Sequence, residues 1–142
     1  MFNNKIMQKF ANPKYAGGLR GANGTGKSGN EECGDLIKIY IYVNEEGVIE
    51  DAKFKAYGGV CTIAACETVC DLIEGRSIEA AMRTSYYQIL DEMGDMPEDR
   101  LYTITLAEEA IKDAIEDYYK KKEKELKKLQ ENYDLIYEEL VS

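Results

Sequence analysis

Apolar positions along the chain change period several times, and each change predicts an element. Phe2, Ile6 and Phe10 recur at helical spacing over residues 2–10, and Asn12-Pro13 predicts that this helix stops before it. Residues 16–34 then hold seven glycines, which predicts a loop-rich stretch with one short edge strand at most. Ile37, Ile39, Ile41 and Val43 alternate with Lys38, Tyr40 and Tyr42, the pattern of a half-buried strand. Asn44-Glu45-Glu46-Gly47 predicts a turn, and Val48 to Tyr57 an antiparallel partner with Ala52, Phe54 and Ala56 on one face.

Gly58-Gly59 breaks that strand, and the period becomes helical from Thr62 to Ile73. Ile63, Cys66, Cys70 and Ile73 share a stripe there, and Gly75 ends it. Two shorter helices are predicted at 78–82 and 86–93. A long helix is predicted after Pro97, from about Leu101 toward the C-terminus, with a stripe through Ile111, Ile115, Tyr118, Leu126, Leu129, Tyr133, Ile136 and Leu140.

The 142 residues, 44% apolar and 32% charged, suit one domain with a real core. The formal charge of −9 argues against a reader of nucleic-acid backbone, which needs a basic face. That charge lies wholly in the first 119 residues, because residues 120–142 balance six Lys with six Glu and Asp. The last segment therefore reads as a charge-balanced amphipathic helix that packs on the domain or on another copy. The chain has no histidine, which excludes a Ser-His-Asp triad, a Cys-His nucleophile and a histidine-ligated zinc enzyme. With no apolar run resembling a signal peptide or a membrane span, a cytoplasmic location is expected. Cys33, Cys61, Cys66 and Cys70 are then expected as reduced thiols, and their spacing contains no CxxC pair.

Gly21-Ala22-Asn23-Gly24-Thr25-Gly26-Lys27-Ser28 satisfies the phosphate-loop pattern GxxxxGK[ST]. That motif works between a buried strand and a helix N-terminus, and neither flank here fits. A flexible glycine-rich loop is the expectation instead.

Cys33-Gly34-Asp35 sits where a loop enters a strand, and Cys61 sits at the expected N-terminus of a helix. The helix dipole there favours a thiolate. If the hairpin pairs as predicted, Cys33, Asp35 and Cys61 converge at one end of the sheet, a mixed soft and hard set suited to iron or zinc. The alternative is that each cysteine is a small buried side chain. Cys66 and Cys70 lie on a core stripe and read as packing, although Cys66, little more than one turn beyond Cys61, can still face the site.

Several runs together resemble a family. Asn12-Pro13-Lys14-Tyr15-Ala16-Gly17, the glycine stretch, Cys33-Gly34-Asp35 and Phe54-Lys55-Ala56-Tyr57-Gly58 are similar to NifU/IscU-type iron–sulfur cluster assembly scaffold proteins. Ile63-Ala64, Gly75-Arg76-Ser77 and Leu106-Ala107-Glu108-Glu109-Ala110-Ile111 follow in the same order, so the resemblance covers residues 2–120 or so. It implies an α+β fold, a small antiparallel three-stranded sheet packed against helices, with residues 1–121 as the scaffold domain and 122–142 as an extended helix. It also implies a non-enzymatic carrier of a labile cluster, [2Fe-2S] in type, with zinc able to take its place. Sulfur would come from a cysteine desulfurase and the cluster would go to apo acceptor proteins. Nucleic acid and membrane are not expected as partners, and self-association through the C-terminal helix is an open alternative. The resemblance implies Cys33 and Asp35 as ligands; Cys61 is the natural substitute for the second thiol, and Cys66, expected as a fourth metal ligand, stands beside Tyr102 and an external thiol as candidates to complete the shell. Two departures stand out. Gly59 occupies the family's second cysteine position, with the thiol reappearing at Cys61, and Tyr102-Thr103 replace its His-Cys pair. A chain keeping the fold without the cluster, or with a structural zinc, is the competing expectation.

Overall fold

The computed structural model describes residues 2–32 and 34–142. Helix α1 (Asn4–Ala11) is capped by Asn3, whose side chain accepts from the Ile6 N–H. Strands β1 (Gly24–Asn30), β2 (Asp35–Val43) and β3 (Ile49–Tyr57) form an antiparallel sheet in the order β1-β2-β3. Helices α2 (Val60–Ile73), α3 (Ile78–Met82) and α4 (Tyr86–Met93) follow, then a single 3-10 turn at Glu98–Arg100 and the 40-residue α5 (Tyr102–Val141). The α+β class with a three-stranded antiparallel sheet is therefore the observed one.

Strict alternation drives the sheet. Ile37, Ile39, Ile41 and Val43 are all buried on one face of β2, opposite Ala52 and Phe54 of β3. Helices α2 and α5 cover that face, and Ile104, Ala107, Ala110, Ile111, Ala114 and Ile115 of α5 complete the core.

The stretch 16–34 holds the short edge strand allowed for it, the seven-residue β1, and residues 24–28 belong to that strand and not to the flexible loop expected of 21–28. The reason is close approach. A Cβ on Gly24 would stand 2.6 Å from the Ala114 carbonyl of α5, and one on Gly26 would collide with the Ala110 carbonyl and the Ala114 backbone. The absent side chains let α5 lie directly on the strand. The outer edge of β1 is satisfied as well. Asp117 accepts from the Thr25 N–H at 2.8 Å and Asp113 from the Lys27 N–H at 2.9 Å. Two carboxylates one helical turn apart thus close a sheet edge that would otherwise invite another strand.

Helix α2 is buried almost all round, not along a single stripe. Thr62, Ala64, Ala65, Cys66, Thr68, Val69 and Cys70 are all inside, while Ile63 is half-buried. It also carries a buried carboxylate. Glu67 accepts the backbone N–H groups of Lys14 and Tyr15, both at 2.8 Å, and Asp71 accepts from the Tyr15 hydroxyl at 2.9 Å. Tyr15 and Gly17 in turn exchange backbone hydrogen bonds with Phe54 of β3. The Asn12–Gly17 run is therefore a strap fastened between α2 and the sheet.

Helix α5 passes residue 121 without interruption. Its last buried residue is Ile115, with Tyr118 packed at the margin, and residues 120–142 are exposed throughout. The first turns of this segment line a groove with the β2–β3 hairpin, Lys121, Lys122 and Glu125 beside Tyr42, Asn44 and Glu45, but the segment buries no residue on the domain. No described helix is long and apolar enough to cross a membrane.

Candidate metal centre

Three elements meet where β2 begins. Gly34, with φ of 80°, turns the chain immediately before Asp35, the first residue of β2 and one of its buried positions. The register brings Leu36 opposite Tyr57, so the end of β3 and the Gly58-Gly59 entry to α2 lie beside it. A Cβ on Gly58 would collide with the Asp35 carboxylate and stand 2.9 Å from the Thr62 hydroxyl. Glycine is required there for α2 to start so close to the strand.

Both oxygens of Asp35 accept hydroxyl protons. Thr62, in the first turn of α2, donates to Oδ1 at 2.5 Å, and Tyr102, the first residue of α5, donates to Oδ2 at 2.8 Å. A buried carboxylate needs such partners. The bond to Asp35 is the largest cause raising the Tyr102 phenol above its ordinary pKa, followed by burial and the Asp35 charge, with Arg100 opposing.

Asp35, Thr62 and Tyr102 line a pocket of 290 Å³ with Cys61, Arg100 and Phe2, floored by backbone at Gly34 and Gly59. Cys61 is 2% exposed, in the first turn of α2. The expectation that the helix N-terminus favours its thiolate requires correction. Burial pushes the thiol above its ordinary pKa, Arg100 pulls it down and Asp99 pushes it up, and the net direction is up. A metal must displace that proton.

Cys66 lies deeper on α2, with no exposed surface and no part in the pocket lining. Burial, then the charges of Asp35 and Glu67, raise its pKa. Cys70 is equally enclosed and also raised, first by burial. Cys33, the first candidate ligand, lies outside the described residues. Among the described residues, no three His, Cys, Asp or Glu side chains cluster around one metal position. Of the candidates, Asp35 and Cys61 line the same pocket, and the Asp35 charge is felt at Cys66 behind it.

Sequence reasoning missed Thr62, Arg100 and Gly58. A hydroxyl directly after Cys61, in a helix otherwise apolar at its start, was the available signal for Thr62. Arg100 carried none, because its approach depends on how the turn before α5 folds back.

The NifU-like N-terminal domain family matches residues 1–125. An iron–sulfur cluster assembly scaffold protein IscU of Buchnera aphidicola, from Acyrthosiphon pisum, is 40% identical over 124 residues, 85% of this chain and 97% of that protein. The IscU of Escherichia coli K12 is 36% identical over 125 residues, 86% of this chain and 97% of its own length. Among solved structures, a NifU-like N-terminal protein from Brucella abortus matches with a TM-score of 0.63 at 19% identity, over 83% of this chain and 94% of that one. A protein described as a scaffold for the SUF system of Fervidobacterium islandicum matches at 0.65 and 19%, over 80% and 96%. At that identity the two structures speak for the fold.

Proposed function

The chain belongs to the NifU-like N-terminal domain family, and from that premise we propose that it is an iron–sulfur cluster assembly scaffold, holding iron and sulfide as transient cargo in the pocket of Asp35 and Cys61. The observation that carries this reading is the buried Asp35 carboxylate, which lines one pocket with Cys61 and has both oxygens held by hydroxyls. Iron at an Asp35 oxygen competes with the hydrogen bond which that oxygen accepts, and the hydroxyl stays in place to take the oxygen back. A carboxylate is also a harder ligand than a thiolate. Both features make a ligand that lets go, as a carrier needs.

Cys33, two residues before Asp35 in sequence, supplies the second thiolate in this reading. Cys66 joins as a metal ligand only if the first turn of α2 opens, because its thiol is enclosed. The cargo proposed is a labile [2Fe-2S] cluster; two thiols and a carboxylate also accept zinc. Sulfur arrives from a cysteine desulfurase and the cluster leaves to apo acceptor proteins, with the chain itself catalysing no bond change, in the cytoplasm. Residues 1–121 form the scaffold unit and 122–142 an extension outside this chemistry.

Anaerobic reconstitution with ferrous iron and sulfide, followed by iron and sulfide analysis and visible absorption, tests the reading. A chromophore with acid-labile sulfide supports it. Retention of zinc alone, or of no metal, overturns it in favour of a structural metal or a cluster-free interaction module on the same fold.

A further inference from the structure

The exposed half of α5 has its own internal order. Tyr119, Leu126, Leu129, Tyr133, Ile136 and Leu140 are 45–78% exposed. With Lys122 they recur at alternating steps of four and three, the heptad pattern of a coiled-coil seam. Tyr133 and Tyr137 stack beside the seam with ring centroids 6.4 Å apart. A helix that shows an apolar stripe to water along several turns gains little from propensity alone and is stabilised by covering that stripe.

Charge is segregated along the same segment. Residues 119–128 carry six Lys and two Glu, a net +4, while 129–142 carry Glu131, Asp134, Glu138 and Glu139 with no Lys or Arg, a net −4. A parallel pair of such helices sets +4 beside +4 and −4 beside −4. An antiparallel pair sets each basic half along an acidic half, at an interaxial distance of about 8–10 Å, comparable to the screening length at physiological salt.

We propose that the partner of this helix is a second copy of the chain, docked as an antiparallel two-stranded coiled coil over residues 122–140. The seam sets the register. Leu126 of one protomer packs in the layer of Ile136 of its partner, Leu129 with Tyr133, and Lys122 with Leu140. In this register Lys127 lies level with Asp134, and Lys121 with Glu139, on the outer faces of the pair, so opposite charges share a level without direct ion pairs across the seam. The shared stretch, with about 1.5 Å rise per residue, spans roughly 27 Å and places the two domains at opposite ends. Each Asp35–Cys61 pocket then stays open to its own sulfur donor and acceptor. The proposal does not depend on the cluster reading.

Sedimentation velocity on the full chain is expected to give twice the chain mass of 16.1 kDa. Combining Leu129→Lys with Ile136→Lys is expected to weaken association more than about 100-fold, with the thermal midpoint of the domain unchanged. A benzoylphenylalanine photo-crosslinker in place of Lys122 reads the orientation, and is expected to cross-link to residues near 140 of the partner. Within one helix that region lies too far away to be reached. A monomer at all concentrations overturns the proposal and leaves the stripe to a different protein. A dimer indifferent to the double substitution, or cross-links centred on residue 122 itself, overturns it equally.

Discussion

Tyr102 donates its hydroxyl to Asp35 at 2.8 Å, joining the first residue of the last helix to the first residue of the central strand. In the family this sequence resembles, that position belongs to a histidine. Here a phenol replaces an ionisable imidazole, and it binds the carboxylate without contributing a metal ligand that titrates near neutral pH. Removing that hydroxyl with Tyr102→Phe frees one Asp35 oxygen and makes the carboxylate a more available ligand. Transfer of a reconstituted cluster to an apo acceptor is expected to slow by about tenfold, in line with one charge-assisted hydrogen bond. Transfer followed by visible absorption checks this; a rate equal to wild type would show that the hydroxyl does not compete for Asp35.

Gly26 tests why β1 is rich in glycine. Gly26→Ala places a methyl against the α5 backbone, which cannot give way as a side chain can. A loss of about 3 kcal/mol is expected in urea denaturation. Gly18→Ala is the control, since its Cβ meets only the far end of the Lys55 side chain at 3.4 Å. It is expected to be near neutral.

Glu67 is expected to matter more than its place in an apolar helix suggests. Glu67→Ala leaves the Lys14 and Tyr15 N–H groups without their acceptor and releases the strap. A cost of about 2–4 kcal/mol is expected, against about 1 kcal/mol for Tyr15→Phe, which loses only the Asp71 bond. Equal costs would mean that the strap is held by Tyr15 packing alone.

The buried thiols set an alkaline limit. Burial raises the pKa of both Cys66 and Cys70 in the folded chain, whereas in the unfolded chain they titrate at about 8.5. Below that pH both states hold the protons and stability is unaffected. Above it the unfolded chain releases protons that the folded chain keeps, so stability falls as pH rises, by at most about 1.4 kcal/mol per pH unit per thiol. Tyr15, raised first by burial and then by Asp71, adds to the fall at still higher pH. Urea midpoints compared between about pH 7 and 10 measure the slope, and Cys70→Ala is expected to reduce it.

The sequence and the structure agree where a period has one physical meaning. The Ile37–Val43 alternation could only be a half-buried strand, and the structure makes it β2. They part where the determining contact is distant. The pattern allowed an edge strand within 16–34 but did not place it, because the glycines of Gly24–Asn30 answer to α5, more than 80 residues later. Within the site, Asp35 and Cys61 were legible from the loop-to-strand and strand-to-helix junctions that carry them. Their hydroxyl partners were not, since Tyr102 reaches Asp35 only through the packing of α5 against the sheet. The raised Cys61 pKa was hidden too, because position at a helix N-terminus says nothing of how deeply the turn is buried.

Comparison of Cys61→Ala with Cys66→Ala under anaerobic reconstitution asks which thiol of α2 carries the cargo. Cys61→Ala is expected to abolish the chromophore and the acid-labile sulfide, while Cys66→Ala keeps both at wild-type stoichiometry. A full cluster in Cys61→Ala, or its loss only in Cys66→Ala, would contradict the placement of the cluster in the Asp35–Cys61 pocket.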